Sequence, residues 1–256
     1  MNYIGIDIGS TCAKTVVLNE KKEIIQEFVQ PTGWSSVDTA EEIHQKLELA
    51  GINLSDDSSC CVATGYGRIS VPYADKTVTE ITCHALGAVH LFQQPDLTVI
   101  DIGGQDTKII QIEQGFVKDF IMNDKCAAGT GRFLEVMANT LSLRPNEMFD
   151  LARLGSDTTI SSMCTVFAES EVIGLIGKGE PKENIAYAVV NSTIRKVAAQ
   201  VSRMNGEMST FCLTGGLCEC EYIREALSKE LGKEVISCPD ARYAGAIGAA
   251  ISAMKV

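Results

Sequence analysis

The pattern of apolar and polar positions predicts three strands near the N-terminus. In YIGIDIGSTCAKTVVL, residues 3–18, an apolar run ends in Asp7-Ile-Gly, and a second apolar run follows a short polar turn. The polar turn NEKKE then precedes a third apolar run, IIQEFVQ. Short apolar runs joined by polar turns are typical of strands connected by hairpins.

The same order recurs later in the chain. TVIDIGGQDTKIIQI, residues 98–112, also has an apolar run that ends in Asp-Ile-Gly, and a lysine follows each aspartate at the same spacing: Lys14 after Asp7 and Lys108 after Asp101. The turn EQG and the run FVKDFIMN complete a second set of three strands. The duplication predicts two similar halves whose Asp-Ile-Gly turns face one another across a cleft.

Helical spacing of apolar positions predicts the other elements. The segments SVDTAEEIHQKLELAG and TEITCHALGAVHLF have a helical pattern, and CCVATGYGR is a strand ending in a glycine turn. Further helices are predicted at about 131–141, 164–177, 184–205, 220–231 and 243–254, and strands near 209–214 and 234–238. Helices and strands interleave, so the fold class is α/β. We expect two domains, 1–95 and 96–242, with the helix 243–256 packing back on the first.

Composition narrows the class of protein. The 256 residues are 45% hydrophobic, enough for a substantial core. Neither a run of about 18 apolar residues nor a signal peptide is recognisable, so we expect a cytoplasmic protein without a membrane span. The formal net charge is −11, which disfavours nucleic acid as a partner.

The first Asp-Ile-Gly turn has the composition of a phosphate site. Backbone N–H groups and hydroxyls of Gly9, Ser10 and Thr11 are expected to close around a phosphate. A carboxylate at a strand end, here Asp7, is expected to hold Mg²⁺ through water. Lys14 is expected to neutralise phosphate charge.

The second turn repeats this composition with one addition. Asp101, Gly103 and Gly104 again combine a carboxylate at a strand end with a glycine turn. Gln105 is expected to orient the attacking water, as a glutamine does in other nucleotide hydrolases.

A third glycine turn completes the pattern. Gly215 and Gly216, in LTGGL, follow a predicted strand and allow the backbone to approach an adenosine closely. The order DIGST, DIGGQ and TGG resembles the ATP-binding pattern of the superfamily that includes actin, hexokinase and the 70-kDa heat-shock proteins. The resemblance implies two subdomains hinged around ATP and Mg²⁺.

Two of the ten cysteines precede predicted helices. Cys126 stands before a small-residue and glycine segment in NDKCAAGTGRFLEVMA, and Cys164 stands before an amphipathic run in SSMCTVFAESEV. A helix N-terminus favours a thiolate and any anionic group that the thiolate binds.

The segment after Cys126 is also a candidate for nucleotide binding. A glycine-rich helix start is expected to aim backbone N–H groups at an anion, which makes Gly129, Thr130 and Gly131 candidates. Arg132 and Glu135 are expected either to contact the base or ribose or to form a surface salt bridge.

The setting of the two cysteines suits a shared metal site. A zinc or iron–sulfur site usually takes four thiolates, and one chain offers two. A twofold homodimer in which each subunit contributes Cys126 and Cys164 supplies four. Two buried thiols without a ligand are the alternative on spacing alone. Burial is expected for four other cysteines, namely Cys60, Cys61, Cys83 and Cys212. The roles of three more stay open: Cys12, Cys218 and Cys220.

Longer motifs give a closer resemblance. NDKCAAGTGRFLE, CTVFAESEVI, ATGYGR, DIGGQD and LTGG together resemble the activator components of 2-hydroxyacyl-CoA dehydratases, which are related to the ATPase subunits of benzoyl-CoA reductase. The resemblance implies a homodimeric ATPase with one bridging [4Fe-4S] cluster on Cys126 and Cys164. It also implies that ferredoxin or flavodoxin reduces the cluster and that single electrons pass to a partner iron–sulfur protein.

The partner and the content of the cysteine site stay open at this stage. The acceptor is a 2-hydroxyacyl-CoA dehydratase, a benzoyl-CoA reductase core or a double-cubane iron–sulfur protein. A small-metabolite kinase of the same fold would leave the two cysteines without a role, and zinc would make them a structural clasp of the dimer. For the activator, we expect domain movement around the nucleotide to change the exposure and potential of the cluster.

Overall fold

The computed structural model describes residues 1–54, 58–162, 164–205 and 210–256. The strands are β1 Asn2–Ile8, β2 Cys12–Leu18, β3 Ile24–Pro31, β4 Ser59–Thr64, β5 Lys76–Thr77, β6 Leu97–Ile102, β7 Thr107–Glu113, β8 Phe116–Asn123, β9 Thr210–Gly215 and β10 Val235–Ile236. The helices are α1 Ser36–Leu49, α2 Glu80–Phe92, α3 Gly131–Thr140, α4 Pro145–Ala152, α5 Thr165–Gly177, α6 Lys182–Val201, α7 Glu221–Leu231 and α8 Ala244–Ala253. None of these helices is long and apolar enough to cross a membrane.

The chain forms two compact units. The first comprises residues 1–97, 110–118 and 240–256, and the second comprises residues 98–109 and 119–239. The α/β class and both sets of three hairpin-connected strands are confirmed.

The first sheet has the strand order β3-β2-β1-β4-β5. Strand β1 pairs antiparallel with β2 and parallel with β4, which places Asp7 opposite both Lys14 and Thr64. One face of the sheet packs on α1, and the other packs on α8 through Ala246, Ile247 and Ala250. Strand β1 therefore lies between a layer formed by α1 and a layer formed by α8.

The second sheet has the order β10-β9-β6-β7-β8. Its strands β8-β7-β6-β9 therefore repeat the order β3-β2-β1-β4 of the first sheet, as expected for a duplication. The described part of β9 begins at Thr210, and Ser209, which was predicted to begin this strand, lies outside the described residues.

Helix α4 was not predicted from the sequence. Its local signals are Pro145 at the first helical position and Glu147, whose carboxylate accepts a hydrogen bond from the backbone N–H of Arg144 at 2.8 Å. Proline at this position and a glutamate that caps the first turn are typical of helix starts.

Candidate functional site

Both Asp-Ile-Gly turns are closed by the same backbone hydrogen bond. The N–H of Gly9 donates to the carbonyl of Cys12 at 3.1 Å, and the N–H of Gly103 donates to the carbonyl of Asp106 at 2.9 Å. Two residues form each tip, and within the described chain their N–H groups donate to no protein acceptor: Ser10 and Thr11 in the first turn, Gly104 and Gln105 in the second. Such free N–H groups are suited to phosphate oxygens.

Asp7 is a buried carboxylate with an unsatisfied oxygen. The residue is 3% exposed, and its Oδ1 has no hydrogen-bond partner among the described residues. Glycines adjoin both oxygens: a Cβ on Gly65 would lie 2.5 Å from Oδ1, and a Cβ on Gly245 would lie 2.6 Å from Oδ2. A buried charge without a partner is unfavourable by several kcal/mol or more. The unsatisfied oxygen therefore fits a hydrated Mg²⁺, which prefers carboxylate and water oxygens.

Asp101, the equivalent residue in the second unit, is fully engaged. Its Oδ1 accepts a hydrogen bond from Thr214 Oγ1 at 2.8 Å, and its Oδ2 lies 3.2 Å from Lys108 Nζ. The same Nζ lies 2.9 Å from Asp106 Oδ2, and Lys108 is 1% exposed. The second carboxylate thus belongs to a buried ion cluster that supports the base of its turn.

The two lysines that follow the aspartates also differ. Lys14 is half-buried and has no ion pair among the described residues, whereas Lys108 is enclosed by carboxylates. Cys12 occupies the position that Asp106 has in the second repeat, so the first turn lacks the second carboxylate. Lys14 is consequently the lysine that is available to a phosphate.

The glycine turns after β4 and β9 are equivalent, which the sequence analysis did not recognise. Gly65 and Gly215 have φ of +84° and +83°, in the left-handed region that favours glycine. A Cβ on Gly65 would lie 2.5 Å from the carbonyl of Ile8, and one on Gly215 would lie 2.6 Å from that of Ile102. The sequence signal of this equivalence is the Thr-Gly that follows an apolar strand in both ATGYG and LTGGL. Gly216, next in the chain, is exposed, and a Cβ on it would meet nothing within 4 Å.

The prediction that the start of α3 aims free N–H groups at an anion is wrong for its first two residues. The N–H of Gly131 donates to the carbonyl of Gly103 at 2.9 Å, and the N–H of Arg132 donates to the carbonyl of Gly104 at 2.7 Å. These donors are therefore occupied by the second turn.

Three other candidates around α3 have protein partners. The buried Thr130 hydroxyl donates to the carbonyl of Ala127 at 2.6 Å. Arg132 and Glu135 form an exposed ion pair with 2.9 Å between Nη1 and Oε2. The surface salt bridge, one of the two expected arrangements, is the one that forms.

The two cysteines relate differently to their helices. Cys164 is the N-cap residue of α5 with extended backbone angles. Cys126, in contrast, lies five residues before Gly131, where α3 begins, and the turn Ala127–Thr130 lies between. The prediction that Cys126 stands at a helix N-terminus is therefore wrong, because the effect of the helix dipole is confined to the first turn.

Glu171 fastens the segment before Cys164 to α5. Its carboxylate accepts hydrogen bonds from the backbone N–H groups of Ser161 and Ser162 at 3.0 and 3.1 Å. Partial burial raises the pKa of Glu171, but these hydrogen bonds outweigh it, so that the pKa lies below its ordinary value.

Exposure separates Cys126 and Cys164 from the other cysteines. The described residues include all ten cysteines, and these two are exposed whereas the others are buried or half-buried. Burial raises the pKa of the Cys83 thiol to about 12 and also raises the pKa of Cys61 and Cys212. The expected burial of Cys60, Cys61, Cys83 and Cys212 is confirmed. Cys126 and Cys164 are exposed, so the alternative that both are buried thiols is wrong.

Cys126 and Cys164 are exposed thiols, which is compatible with a shared metal site. Among the described residues of the single chain, no group of three or more His, Cys, Asp and Glu side chains is placed to hold a metal ion. A four-thiolate site that draws on these two cysteines therefore needs a second chain.

Comparison with known proteins identifies close relatives. The chain is 44% identical to the (R)-2-hydroxyglutaryl-CoA dehydratase activating ATPase of Acidaminococcus fermentans, over 98% of this chain and 96% of that protein. It is 40% identical to the activator of lactoyl-CoA dehydratase of Anaerotignum propionicum, over 100% of this chain and 98% of that protein.

Solved structures agree with these relatives. The crystal structure of the Acidaminococcus fermentans dehydratase component A matches with a TM-score of 0.92 and 42% identity, over 100% of this chain and 98% of that one. The 2-hydroxyisocaproyl-CoA dehydratase activator of Clostridium difficile, with bound ADPNP, matches with a TM-score of 0.90 and 35% identity, over 100% and 95%. A ROK family glucokinase of Streptomyces griseus, at 16% identity and a TM-score of 0.66 over all of both chains, shares the fold alone.

A family profile covers nearly the whole chain. Residues 4–253 match the BadF/BadG/BcrA/BcrD ATPase family. With the duplicated Asp-Ile-Gly turns and the actin-like fold, this match shows that the chain is an ATPase that belongs to the BadF/BadG/BcrA/BcrD family.

Proposed function

We propose that this ATPase is an iron–sulfur electron activator that couples ATP hydrolysis to the delivery of single electrons to a 2-hydroxyacyl-CoA dehydratase. The observation that carries the proposal is the exposure of Cys126 and Cys164 in the same unit as the DIGGQ turn. The partner class is supported by the names of the relatives, which are activators of 2-hydroxyglutaryl-CoA and lactoyl-CoA dehydratases. A double-cubane protein or a benzoyl-CoA reductase core is the alternative acceptor.

The first turn binds Mg²⁺ and phosphate in this proposal. Asp7 holds the hydrated cation through its unsatisfied oxygen, and the N–H groups of Ser10 and Thr11 bind phosphate oxygens. Gly9 closes the turn, and Lys14 neutralises phosphate charge because no carboxylate occupies it.

The second turn contributes the water-orienting residue. Gln105 is exposed at the tip next to Gly104, while Asp101 is kept in place by its ion cluster. Asp101 thus acts by positioning the turn rather than by contacting the nucleotide. Gly215 and Gly216 lie at the end of β9 and leave room for the adenosine.

Cys126 and Cys164 of each chain hold the cluster in a homodimer. A [4Fe-4S] cluster on four thiolates supplies a one-electron carrier whose potential depends on charge, hydrogen bonding and exposure. The chain keeps both thiols at its surface, where ferredoxin or flavodoxin has access as donor. Their two segments are fastened by Asn123 and by Glu171, respectively.

The test is anaerobic determination of iron and acid-labile sulfide after reconstitution, together with ATPase activity and oligomeric state. Wild type is expected to bind about four irons per dimer, as one [4Fe-4S] cluster requires. Cys126→Ala and Cys164→Ala are expected to lose the iron and keep the ATPase activity. Cys220→Ala is the matched control, because Cys220 is also an N-cap cysteine, at α7, but is half-buried.

Other metal contents would contradict the proposal in different ways. Zinc at two thiolates per chain would assign the cysteines to a dimer clasp. Absence of any metal, with ATPase activity intact and the dehydratase not activated, would favour a small-metabolite kinase or a nucleotide switch.

A further inference from the structure

The DIGGQ turn is tied to the segment that carries Cys126 by a buried hydrogen bond. The hydroxyl of Thr107, the first residue of β7, donates to the carbonyl of Gly129 at 2.6 Å, and Thr107 is fully buried. Gly129 has φ of +84° and lies three residues after Cys126. In a buried setting, a carbonyl that loses its donor is unfavourable, so this contact holds Gly129 in place.

Two further hydrogen bonds join the same two segments. The carbonyls of Gly103 and Gly104 accept from the first two N–H groups of α3, at 2.9 and 2.7 Å. Gly104 is half-buried and forms the tip of this turn together with the exposed Gln105, which is proposed to orient the attacking water. The turn is therefore hydrogen-bonded to Gly131 and Arg132, which lie two and three residues after Gly129.

The segment between Asn123 and Thr130 behaves as one hydrogen-bonded loop. Asn123 Nδ2 donates to the carbonyl of Cys126 at 2.9 Å and to that of Ala128 at 3.0 Å. The N–H of Thr130 donates to the carbonyl of Ala127 at 3.1 Å. The backbone between Cys126 and Gly129 is thus held by hydrogen bonds to the carbonyls of Cys126, Ala127 and Ala128.

The other end of the connection is rigid. Lys108, next to Thr107 in β7, is enclosed by Asp101 and Asp106 at 3.2 and 2.9 Å. The ion cluster keeps the base of the turn in place while its tip stays exposed. A difference between nucleotide states at the tip is therefore directed toward α3 and Gly129.

We propose that Thr107 is a positioning residue that transmits the nucleotide state of the DIGGQ turn to Cys126 through its hydrogen bond to Gly129. The proposal rests on the proposed function, in which Cys126 holds the cluster. In this proposal, ATP and the cluster are coupled through the Thr107 hydroxyl, which contacts neither of them.

The test uses the cluster-free protein and measures the alkylation rate of Cys126 by peptide mass spectrometry, with and without Mg²⁺ and ADPNP. In wild type, the nucleotide is expected to change this rate at least about fivefold, the lower range of coupling between two sites. Thr107→Val keeps the side-chain shape without the hydroxyl and is expected to reduce the change below about twofold. Thr107→Ser restores the donor and is expected to restore the response.

A matched control is available in the neighbouring strand. Thr98 in β6 is equally buried, but its hydroxyl has no hydrogen-bond partner among the described residues. Thr98→Val is therefore expected to keep the full response.

A second variant tests the connection at its other end. Asn123→Ala changes a half-buried residue outside the core and is expected to weaken the response. Calorimetric titration with ADPNP confirms that each variant still binds the nucleotide.

The outcomes separate this proposal from the proposed function. A full nucleotide response in Thr107→Val, or no response in wild type, overturns the role of Thr107 even if four irons bind per dimer. A response that depends on the Thr107 hydroxyl supports the connection between the turn and Cys126, and the iron determination reports separately on whether Cys126 holds a cluster.

Discussion

Asp7 and Asp101 occupy equivalent positions in the two repeats but have different surroundings. Lys108 and Thr214 engage both oxygens of Asp101, whereas Oδ1 of Asp7 has no partner among the described residues. The structure thus distinguishes two carboxylates that the sequence presents alike. An unsatisfied buried charge weakens the folded state, whereas removal of one partner from a buried ion pair leaves the other charge uncompensated and is strongly destabilising.

The first prediction compares the two asparagine variants. Asp7→Asn is expected to lower the ATPase rate at least about 100-fold, because several kcal/mol of stabilisation by the metal would be lost. It is also expected to raise the unfolding free energy of the nucleotide-free protein by about 1 kcal/mol or more, since a buried unpaired charge is removed. Steady-state ATPase assays and urea denaturation measure both effects.

Asp101→Asn is expected to behave in the opposite way in denaturation. Removing one carboxylate breaks a buried ion cluster and should lower the unfolding free energy by about 3–5 kcal/mol. Equal denaturation midpoints for the two variants would contradict the assignment of different roles.

At the scale of elements, close contacts between backbones determine the position of α8. A Cβ on Gly248 of α8 would lie 1.8 Å from the carbonyl oxygen of Cys83 in α2, and a Cβ on Gly5 of β1 would lie 1.9 Å from that of Ala246. Only glycine permits such approach. The position of α8 in turn leaves Gly245 beside the Asp7 carboxylate.

The second prediction concerns this packing. Gly248→Ala is expected to lower the unfolding free energy by about 3 kcal/mol or more, because the added methyl group overlaps backbone rather than a flexible side chain. Gly174→Ala in α5, where a Cβ meets nothing within 4 Å, is expected to stabilise the protein by about 0.5–1 kcal/mol. Chemical denaturation of both variants provides the measurement, and a similar change in both would refute the close contact.

The third prediction concerns Glu171, which fastens the segment before Cys164. Glu171→Gln is expected to lower the unfolding free energy at pH 7 by about 1–2 kcal/mol, since hydrogen bonds to a charged acceptor are replaced by weaker ones. The folded-state pKa of Glu171 is lowered, so its stabilising effect is complete above its ordinary pKa of 4.5 and is lost as the pH falls through the folded value.

Denaturation between pH 7 and pH 3 tests this expectation. The difference between wild type and Glu171→Gln should shrink as the pH falls below about 4.5. Glu230→Gln, at an exposed carboxylate in α7, is the control and should show no such trend. A difference that is independent of pH would contradict the role of the carboxylate.

Sequence patterns predicted elements well where the signal was local. The two sets of hairpins follow from short apolar runs and polar turns, and the helices from apolar spacing. The start of α3 was interpreted wrongly because its donors are used by Gly103 and Gly104, which lie more than twenty residues earlier. Helix α4 has its local signals in Pro145 and Glu147, which lie outside the predicted helices.

At the scale of the whole molecule, α5 presents an unusual surface. Val166, Phe167 and Ile173 are 66%, 67% and 57% exposed, and the helix begins directly after Cys164. Exposed apolar side chains grouped on one element are typical of interaction sites. Their position beside a proposed cluster ligand supports the proposed homodimer.

The fourth prediction tests this surface. Phe167→Glu is expected to raise the dissociation constant of the reconstituted dimer at least about tenfold, because a charge would replace an apolar anchor. Trp34→Glu, at a 99% exposed side chain in the first unit, is the control and should leave the dimer intact. Sedimentation velocity under anaerobic conditions gives the measurement. Unchanged dimerisation of the Phe167 variant would exclude this surface from the interface.

The sequence by itself determined the duplication, the α/β class, the positions of the Asp-Ile-Gly turns and the two cysteines that precede predicted helices. Each of these depends on spacing and composition over short stretches, so local physical chemistry suffices. Only the tertiary structure decided which aspartate is unsatisfied, which lysine is available, which cysteines are exposed and which donors of α3 are occupied. Those properties arise from contacts between distant residues, such as the hydrogen bond between Thr214 and Asp101 across 113 positions. Spacing along the chain carries no information on whether such a contact forms.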